Sequence, residues 1–394
     1  MIRIMPVVRE NAIYLKIILL SRYKTNYMLN GLCRSIISSF NASTQYIKSM
    51  KISRISLLVL VSVSLVFSSC KDDKDDPEPP RTIAFVIPPG FPSPVYKFTN
   101  NAVTNERFEL GKKLFYDEIL SRNNSISCGS CHLQSGAFSH IDHKVSHGID
   151  DLEGIRNSPP IYNLAWHSNF FWDGGVNHIE LQPINPIQNP VEMDETLGNA
   201  VIKLQASTEY RTLFQQAYGS DSITSQMMLR ALAQFMALMV SADSDYDKYM
   251  KGETSLFDAG ELNGLNIFRQ KCASCHTEPL FTDLNFRNNG LDSVFTTDPG
   301  RSGITLDPAD EGKFKVPSLR NVEVSFPYMH DGSIKTLEKV VEHYNSGVIN
   351  SPTLDPLLSG GIPLTPQEKT DLVKFLKTLT DHTFLTNPDF AEVQ

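Results

Sequence analysis

The sequence predicts a mainly α-helical protein with two similar halves in tandem. Apolar residues recur at helical spacing from about Asn105 to Leu120, again near residue 260, and once more after Thr365. No long stretch shows the alternation of apolar and polar residues that is typical of half-buried strands. The first two helices each lead into the same cysteine motif, which indicates one helical unit per motif.

The two halves carry traces of an internal duplication. The letters GKKLF at 111–115 match GLNIF at 264–268, with extra residues before the first cysteine pair. The apolar positions are Phe108, Leu110, Leu114 and Phe115 in the first helix, and Leu262, Leu265, Ile267 and Phe268 in the second. The match suggests a weak repetition of one helical unit.

The repeated motif is Cys-x-x-Cys-His, which is typical of covalent haem attachment. It comprises Cys128, Cys131 and His132 in the first half, and Cys272, Cys275 and His276 in the second. Two thiols on one turn reach the two vinyl groups of one porphyrin, and the adjacent imidazole meets the iron. A zinc site would need a far shorter separation than the 141-residue step from Cys131 to Cys272, and a thioredoxin-like dithiol would need a βαβ context. The sequence therefore predicts two covalently bound haem c groups.

The closing helix supports a cytochrome c-like arrangement. Thr365 is placed to cap this helix, and Pro366 suits its first turn. Its apolar stripe resembles the terminal helix that packs on haem in small c-type cytochromes, and comprises Leu372, Phe375, Leu376 and Leu379. We expect two cytochrome c-like haem domains packed around an inter-domain interface, one over 91–250 and one over 251–394.

The charge of the chain is unevenly distributed. The formal net charge is −8, but nine of the 36 Lys and Arg residues and only one of the 44 Asp and Glu residues fall within residues 1–69. The remainder is therefore more acidic than the whole chain. This argues against nucleic acid as a partner and is compatible with a basic electron-donor protein.

Residues 50–70 predict export. Lys51 and Arg54 form a positive flank, and an apolar run of signal-peptide length leads through small residues into Cys70. This resembles a bacterial lipoprotein signal, in which Cys70 becomes the lipidated first residue of a periplasmic or outer-membrane protein. Residues 1–49 are then expected to be a mis-called extension, and residues 71–90 an acidic and Pro-rich linker.

Five further blocks accompany the two cysteine motifs. They are GIRNSPPIYN (154–163), FFWDGG (170–175), ELQPINPIQNPVEM (180–193), KVPSLRN (315–321) and FPYMHDGSIKTLEKVVEHYNSG (326–347). With these blocks in order over about 90–385, the chain resembles the bacterial di-haem cytochrome c peroxidase family, which includes a related enzyme that matures a tryptophan-derived quinone cofactor. The resemblance implies a cytochrome-c peroxidase that reduces hydrogen peroxide with electrons from cytochrome c or a cupredoxin.

The resemblance also assigns roles around the two haems. The haem on His132 would be the peroxidatic one, and the haem on His276 the electron-entry one. Trp172 matches the family tryptophan between the haems, although a buried aromatic anchor is the plainer alternative. Gln182 and Glu192 match the distal pair, in which a carboxylate moves a proton between the peroxide oxygens and an amide orients the peroxide.

A histidine of the loop after the first motif matches a displaceable iron ligand of the family. His147 is in the matching position, and His140 and His143 lie close enough in sequence to compete for that assignment. In the oxidised enzyme such a histidine caps the peroxidatic iron, and it leaves when the other haem is reduced.

A calcium site between the domains is implied as well. Asn157, with the backbone carbonyls of Ser325 and Pro327, matches the calcium ligands of the family. One side-chain oxygen plus carbonyls and waters suits a hard cation. The alternative is that Asn157 is an ordinary turn residue.

The sixth ligand of the second haem departs from the usual pattern. Peroxidases of the family place a methionine fourteen residues after the histidine of the HDG motif, here His330, but this position is Tyr344. The quinone-maturing branch uses tyrosine as the iron ligand at this position. A tyrosine ligand lowers the haem potential, whereas a methionine ligand raises it. Met329 is the alternative ligand, although its position matches no known family ligand.

Three functions stay open on the sequence. Peroxide reduction is favoured. A quinone-maturase-like oxidase that acts on a protein substrate is suggested by Tyr344 but disfavoured by His147. A non-enzymatic electron carrier would leave Gln182 and Glu192 without a role. Many family members are homodimers, but no dimer interface is recognisable in the sequence.

Overall fold

The computed structural model describes residues 82–253 and 257–392, and these residues are mainly helical. The predicted extension, the export signal with Cys70 and most of the linker lie outside the described residues. Within the described ranges, no helix is both long enough and apolar enough to cross a membrane. The described residues belong to one compact unit.

The longer helices alternate with short helical turns and loops. The α-helices are α1 (Asn105–Tyr116), α2 (Cys128–Cys131), α3 (Ile184–Gln188), α4 (Leu197–Ala206), α5 (Thr208–Tyr218), α6 (Ser225–Leu238), α7 (Asp245–Met250), α8 (Ala259–Lys271), α9 (Ser302–Thr305), α10 (Leu337–Glu342), α11 (Pro366–Lys377) and α12 (His382–Leu385). The 3₁₀ turns are Phe98–Asn100, Glu118–Leu120, Gln134–Gly136, Ile149–Asp151, Leu164–Trp166, Ile179–Leu181, Pro308–Asp310 and Pro356–Leu358. A π-helical turn spans His343–Gly347. Two short antiparallel strands, β1 (Phe286–Arg287) and β2 (Phe314–Lys315), pair Phe286 with Lys315 and Arg287 with Phe314. The prediction of a mainly helical fold is confirmed.

Local capping explains where the principal helices begin. The Thr104 side chain accepts a hydrogen bond from Arg107 N at the start of α1. The α8 helix starts with a capping box between Asp258 and Glu261. At the start of α11, Thr365 forms a capping box and Pro366 occupies the first turn, as predicted.

In the first half, α1 crosses α6 at Gly111. A Cβ atom at Gly111 would lie 2.0 Å from the Ala231 carbonyl oxygen, so only glycine permits this close approach. One turn further on, the ring of Phe115 packs against that of Phe235 with centroids 5.2 Å apart. Phe115 and Phe235 are fully buried, and this crossing forms the centre of the first hydrophobic core.

In the second half, α8 crosses α11 at Gly264 in the same manner. A Cβ atom at Gly264 would lie 2.0 Å from the Asp371 carbonyl oxygen. Phe268 then packs against Phe375 with ring centroids 5.1 Å apart, in the centre of a second core. The residues aligned by the sequence match, glycine and phenylalanine, therefore occupy equivalent places in the two helix pairs.

One apolar position of the second helix is not part of the core. Leu262 lies in the first turn of α8 and is 37% exposed. Leu265, Ile267 and Phe268 of the same helix are buried.

The end of the chain returns to the first core. Phe384 and Phe390 are buried there. The Tyr116 hydroxyl donates to the Phe390 carbonyl at 2.7 Å, and the Gln134 amide donates to the Asn387 carbonyl at 2.8 Å. The first core is thus completed by the C-terminal segment. Met239 belongs to the first core, and Tyr246, the next buried apolar residue along the chain, belongs to the second core. The domain limits at 250 and 251 stay a prediction.

Replacing Gly111 or Gly264 with alanine should destabilise the protein. Each Cβ would overlap a backbone carbonyl, and overpacking of this kind costs about 1–3 kcal/mol. Urea unfolding of the haem-loaded protein measures the loss. Gly198→Ala in α4 is the matched control, because a Cβ there meets nothing within 4 Å and alanine favours a helix. Equal stability of the Gly111→Ala and Gly198→Ala proteins would contradict the close crossing.

Candidate functional site

The first cysteine motif lies in a cavity of about 600 Å³. The short helix α2 begins at Cys128 and ends at Cys131, and its capping box between Ser127 and Ser130 fixes the turn that carries both thiols. Both cysteines and His132 line the cavity. Two thiols and one imidazole on the wall of one cavity are the residues that haem c requires.

The imidazole of His132 is held in one orientation. Its Nδ1 lies 2.6 Å from the carbonyl oxygen of Phe138, a residue with a φ of 60°. Nδ1–H donates to this carbonyl, which leaves Nε2 as the metal-binding nitrogen. Burial lowers the pKa of His132 to about 4, so the ring is neutral at pH 7 as a ligand must be.

The second motif repeats this geometry in a cavity of about 1280 Å³. His276 Nδ1 lies 3.1 Å from the Phe281 carbonyl, and Phe281 has a φ of 56°. The Pro317 carbonyl lies 3.2 Å from the same nitrogen, so the ring is fixed from two sides. Cys272 and Cys275 line the cavity with His276. Both cavities therefore fit a haem c group.

Glu192 lies in the first cavity as a buried carboxyl group. It follows α3 in a tight turn, and the Asn189 side chain donates to Glu192 Oε1 at 2.7 Å. Burial raises the pKa of Glu192, and the Asn189 hydrogen bond partly opposes this shift. A Cβ atom at Gly148 would lie 2.4 Å from Glu192 Cα, so glycine is needed for the close packing of that loop. The carboxyl group is therefore oriented, and burial favours its protonated form.

Gln182 shares the cavity with Glu192. It follows the 3₁₀ turn Ile179–Leu181 and leads through Pro183 into α3, so α3 separates it from Glu192 along the chain. Both side chains also line a third cavity of about 2070 Å³, together with His132 and Trp172. The structure thus brings together the predicted distal pair, the first histidine and the tryptophan.

Trp172 lies on a tight loop between the second and third cavities and lines both. The Phe170 N–H donates to the Val176 carbonyl at 2.7 Å and closes this loop. The indole Nε1–H donates to the Asn157 carbonyl at 2.8 Å, and the Trp172 carbonyl accepts from Lys315 N at 2.7 Å. Side chain and backbone are therefore both fixed.

His147 lines the first cavity but its ring is engaged elsewhere. His147 Nδ1 lies 3.0 Å from Asp151 Oδ1, and the side chain is 36% exposed. The competing histidines stack beside it, with 4.3 Å between the ring centroids of His140 and His143. His140 is buried and its Nδ1 has no hydrogen-bond partner among the described residues. The assignment of a displaceable histidine stays a prediction.

The predicted calcium ligands border the second cavity. Asn157, Ser325 and Pro327 all line it. The Asn157 amide nitrogen points toward the carbonyls of His143 and Lys144, at 3.4 and 3.3 Å, so the amide oxygen points away from these carbonyls. Within the described ranges, no group of three or more His, Cys, Asp or Glu residues is arranged to hold a metal ion.

Both candidate ligands of the second haem lie in the cavity of His276. Tyr344 is on the π-helical turn that follows α10, and such turns are frequent at functional sites. Met329 has a φ of 74°, and its sulfur accepts from the Asn289 amide at 3.3 Å. Asn289 also hydrogen-bonds Tyr344, whose pKa is raised to about 12 by burial. Both side chains therefore contact the same amide on the wall of this cavity.

Three residues of the cavities were missed by sequence reasoning. Asn189 orients Glu192 and stands three residues before it, inside a block that was already recognised. Lys315 begins another recognised block and lines the second and third cavities. His167 lies near the Lys315 amine and carries no sequence pattern of its own.

Comparison with known proteins gives concordant matches. The family model described as di-haem cytochrome c peroxidase matches residues 105–255. The methylamine utilization protein MauG of Methylophilus methylotrophus is 34% identical over 310 residues, which cover 76% of this chain and 89% of that protein. The cytochrome c551 peroxidase of Nitrosomonas europaea is 34% identical over 72% of this chain and 81% of its own length.

Solved structures agree on the fold. The crystal structure of a MauG-like protein associated with microbial copper homeostasis aligns with a TM-score of 0.73 at 34% identity, covering 78% of this chain and 99% of that one. The diheme peroxidase BthA from Burkholderia thailandensis aligns with a TM-score of 0.61 at 22% identity, covering 74% and 90%. The latter likeness bears on the fold alone.

Intact mass and haem staining on denaturing gels should show two covalent haems. Replacing Cys272 and Cys275 together with serine should remove one of them, because the thioether bonds of that site are lost. Ser274→Ala, between the two thiols, is the matched control and should keep both haems. A wild-type protein with one haem or none would contradict the assignment of both cavities.

Proposed function

Because the chain belongs to the di-haem cytochrome c peroxidase family, we propose that it reduces hydrogen peroxide to water with electrons from a small redox protein. Each turnover consumes one peroxide, two protons and two electrons, and releases two waters. The observation that carries this proposal is the oriented carboxyl group of Glu192, which shares a cavity with Gln182 and with the first haem-binding motif.

The protein's part in peroxide cleavage is proton transfer and orientation. When bound, the first haem supplies the iron at which peroxide would bind and from which peroxide would accept electrons. Glu192 takes the proton from one peroxide oxygen and returns it to the leaving oxygen, and its raised pKa brings it closer to working pH. Asn189 keeps the carboxyl group in place, and Gln182 offers an amide to orient the peroxide.

When bound, the second haem would receive the electrons in this proposal, and Trp172 would relay them toward the first haem. The indole lines the cavity of His276 and the large cavity that contains His132, which is the position a relay requires. Its hydrogen bond to the Asn157 carbonyl fixes the plane of the ring. A packing role alone would not need a residue common to both cavities.

In this proposal Tyr344 would ligate the iron of the second haem, and Met329 is the alternative. Both line the cavity of His276, and Asn289 holds either one. Tyrosine is a hard anionic ligand that lowers the haem potential, whereas a thioether raises it. His147 is proposed as the displaceable ligand of the first haem, which requires its ring to leave Asp151.

We further propose a calcium ion at Asn157, with the carbonyls of Ser325 and Pro327. The amide oxygen of Asn157 points away from the two carbonyls that accept hydrogen bonds from its amide nitrogen. Oxygen ligands of this kind suit calcium. The family supports a periplasmic location and a cytochrome electron donor. The two haem domains and a cupredoxin as the donor are part of the proposal. A lipid anchor at Cys70 and a homodimer remain proposals from the sequence.

A second candidate is a quinone-maturase-like oxidase that withdraws electrons from a protein substrate through Trp172. Tyr344 in the second cavity favours it, and so does the similarity to MauG. Steady-state turnover with peroxide and several reduced donor proteins separates the two enzymes. Stopped-flow mixing with peroxide separates both from a plain electron carrier.

Replacing Glu192 with glutamine should leave both haem spectra intact and slow peroxide reduction by about 100-fold or more. The wild-type rate should also fall at acid pH, because a protonated Glu192 cannot accept a proton and its pKa is raised. The variant should lose this acid limb. Glu153→Gln, at another glutamate of the large cavity, is the matched control. An unchanged rate would remove Glu192 from the mechanism.

Replacing Tyr344 with methionine should raise the potential of the second haem, because a thioether replaces a phenolate. The native protein should lack the sulfur-to-iron charge-transfer band that the variant gains. Met329→Leu is the comparison and should change neither. If Met329→Leu instead abolishes a methionine band present in the native protein, then Met329 is the ligand and the protein is a conventional peroxidase at this site.

A further inference from the structure

A lysine amine lies in the space between the two haem cavities. Lys315 is on β2 and lines the second and third cavities together with Trp172. Its backbone N–H donates to the Trp172 carbonyl at 2.7 Å, so the lysine and the tryptophan loop are directly joined. The mechanism derived above gives this amine no role.

The amine of Lys315, a half-buried residue, has few partners for a cation. Nζ donates to the Asn169 carbonyl at 2.8 Å, and His167 Nδ1 lies 3.5 Å away. An ammonium group carries three donors, so these contacts do not satisfy it fully. His167 lines the third cavity with Lys315, and burial together with the lysine charge lowers the pKa of this histidine. A neutral His167 can accept a hydrogen bond but provides no counter-charge.

The nearest carboxylate is already neutralised by other residues. Asp173 favours the charged form of Lys315. The carboxylate of Asp173, however, is paired with Arg156 at 2.6 Å, and Arg301 donates to the Asp173 carbonyl at 2.8 Å. Arg156 in turn is paired with Asp298 at 2.7 Å. The other titratable groups on these cavity walls are Glu153, Glu192, His132, His276, His330, Arg287, Lys271, Tyr162, Tyr328, Tyr344, Cys272 and Cys275. Among the described residues, Lys315 therefore has no ion pair of its own.

We propose that Lys315 is a positioning residue for electron transfer, which supplies a proton-dependent positive charge beside Trp172 and thereby sets the potentials of the haems. This inference rests on the proposed function. A positive charge near a haem disfavours its oxidised form, so a protonated Lys315 raises the potential and a neutral Lys315 lowers it. Reduction of a haem, conversely, favours uptake of a proton by the amine.

The protonation state of Lys315 is poised to change near neutral pH. Burial lowers the pKa of its amine to about 7, and Asp173 only partly opposes this effect. Lys112 gives an instructive contrast, since it is a buried lysine in the first core whose Nζ reaches the Pro388 and Asp389 carbonyls. Lys112 lines neither the second nor the third cavity, and its contacts suit a purely structural cation.

The test compares four proteins by spectroelectrochemical titration of both haems between pH 5.5 and 9.5, without peroxide. They are the wild type, Lys315→Met, Lys315→Arg and, as the matched control, Lys112→Met. At the acid end, Lys315→Met should lower at least one haem potential, because it removes the charge. We expect about a tenfold change in the oxidised-to-reduced ratio at a fixed potential, about 59 mV for a one-electron couple. At the alkaline end, Lys315→Met should match the wild type.

The arginine variant and the control make the result decisive. Lys315→Arg keeps its charge at every pH used, so it should match the wild type in acid and exceed its potential in alkali. Lys112→Met should show no pH-dependent difference. Equal potentials of Lys315→Met and wild type throughout, or a difference that does not vary with pH, would overturn the proposal. Because no peroxide is involved, either result leaves the proposed peroxidase activity to be judged separately by the Glu192→Gln variant.

Discussion

The arrangement of the two halves depends on a buried polar junction around Ser241, in the segment that connects them. The Asp381 carboxylate accepts from the Ser241 hydroxyl at 3.0 Å, and the Asn321 amide donates to the same hydroxyl at 3.0 Å. From the first half, Asn163 accepts from Ser241 N at 2.9 Å. All four residues are buried, and each unmade hydrogen bond would cost about 1–3 kcal/mol. The junction therefore forms completely, in one geometry.

The residues between the haem cavities are also held by contacts within and between the halves. Trp172 is bonded through its indole to Asn157 in its own half and through its carbonyl to Lys315 in the other. The aromatic ring cannot turn without breaking its hydrogen bond to the Asn157 carbonyl, and the backbone of Trp172 is held by the other half. The bidentate pairing of Arg320 with Asp247 at 2.8 Å reinforces the connection, because both are buried and Tyr162 of the first half donates to the Arg320 carbonyl. Trp172 is therefore held in a space that both halves bound.

The sequence predicted best what depends on neighbouring residues. The start of α11 at Pro366 was predictable because the capping side chain and the proline act within one turn. Spacing alone does not tell which apolar residues of a helix are buried, since Leu262 is exposed and Leu265 of the same helix is buried. Lys315 was missed because its surroundings come from residues about 146–148 positions away, as its contacts with Asn169 and His167 show. The roles of the site residues rest on resemblance, since spacing alone assigns no partner across a cavity.

The duplication explains how one scaffold serves two kinds of site. Both halves use the same glycine crossing of two helices and the same histidine held on a phenylalanine carbonyl, at His132 and at His276. Any difference in chemistry must then come from residues outside the repeated scaffold. In the first cavity these include Glu192, a carboxyl group whose pKa is raised by burial, and in the second they include Tyr344 and Met329, neither of which has a proton to exchange near neutral pH. Two cavities of different chemistry thus arise from one repeated framework, because each cavity receives a different loop.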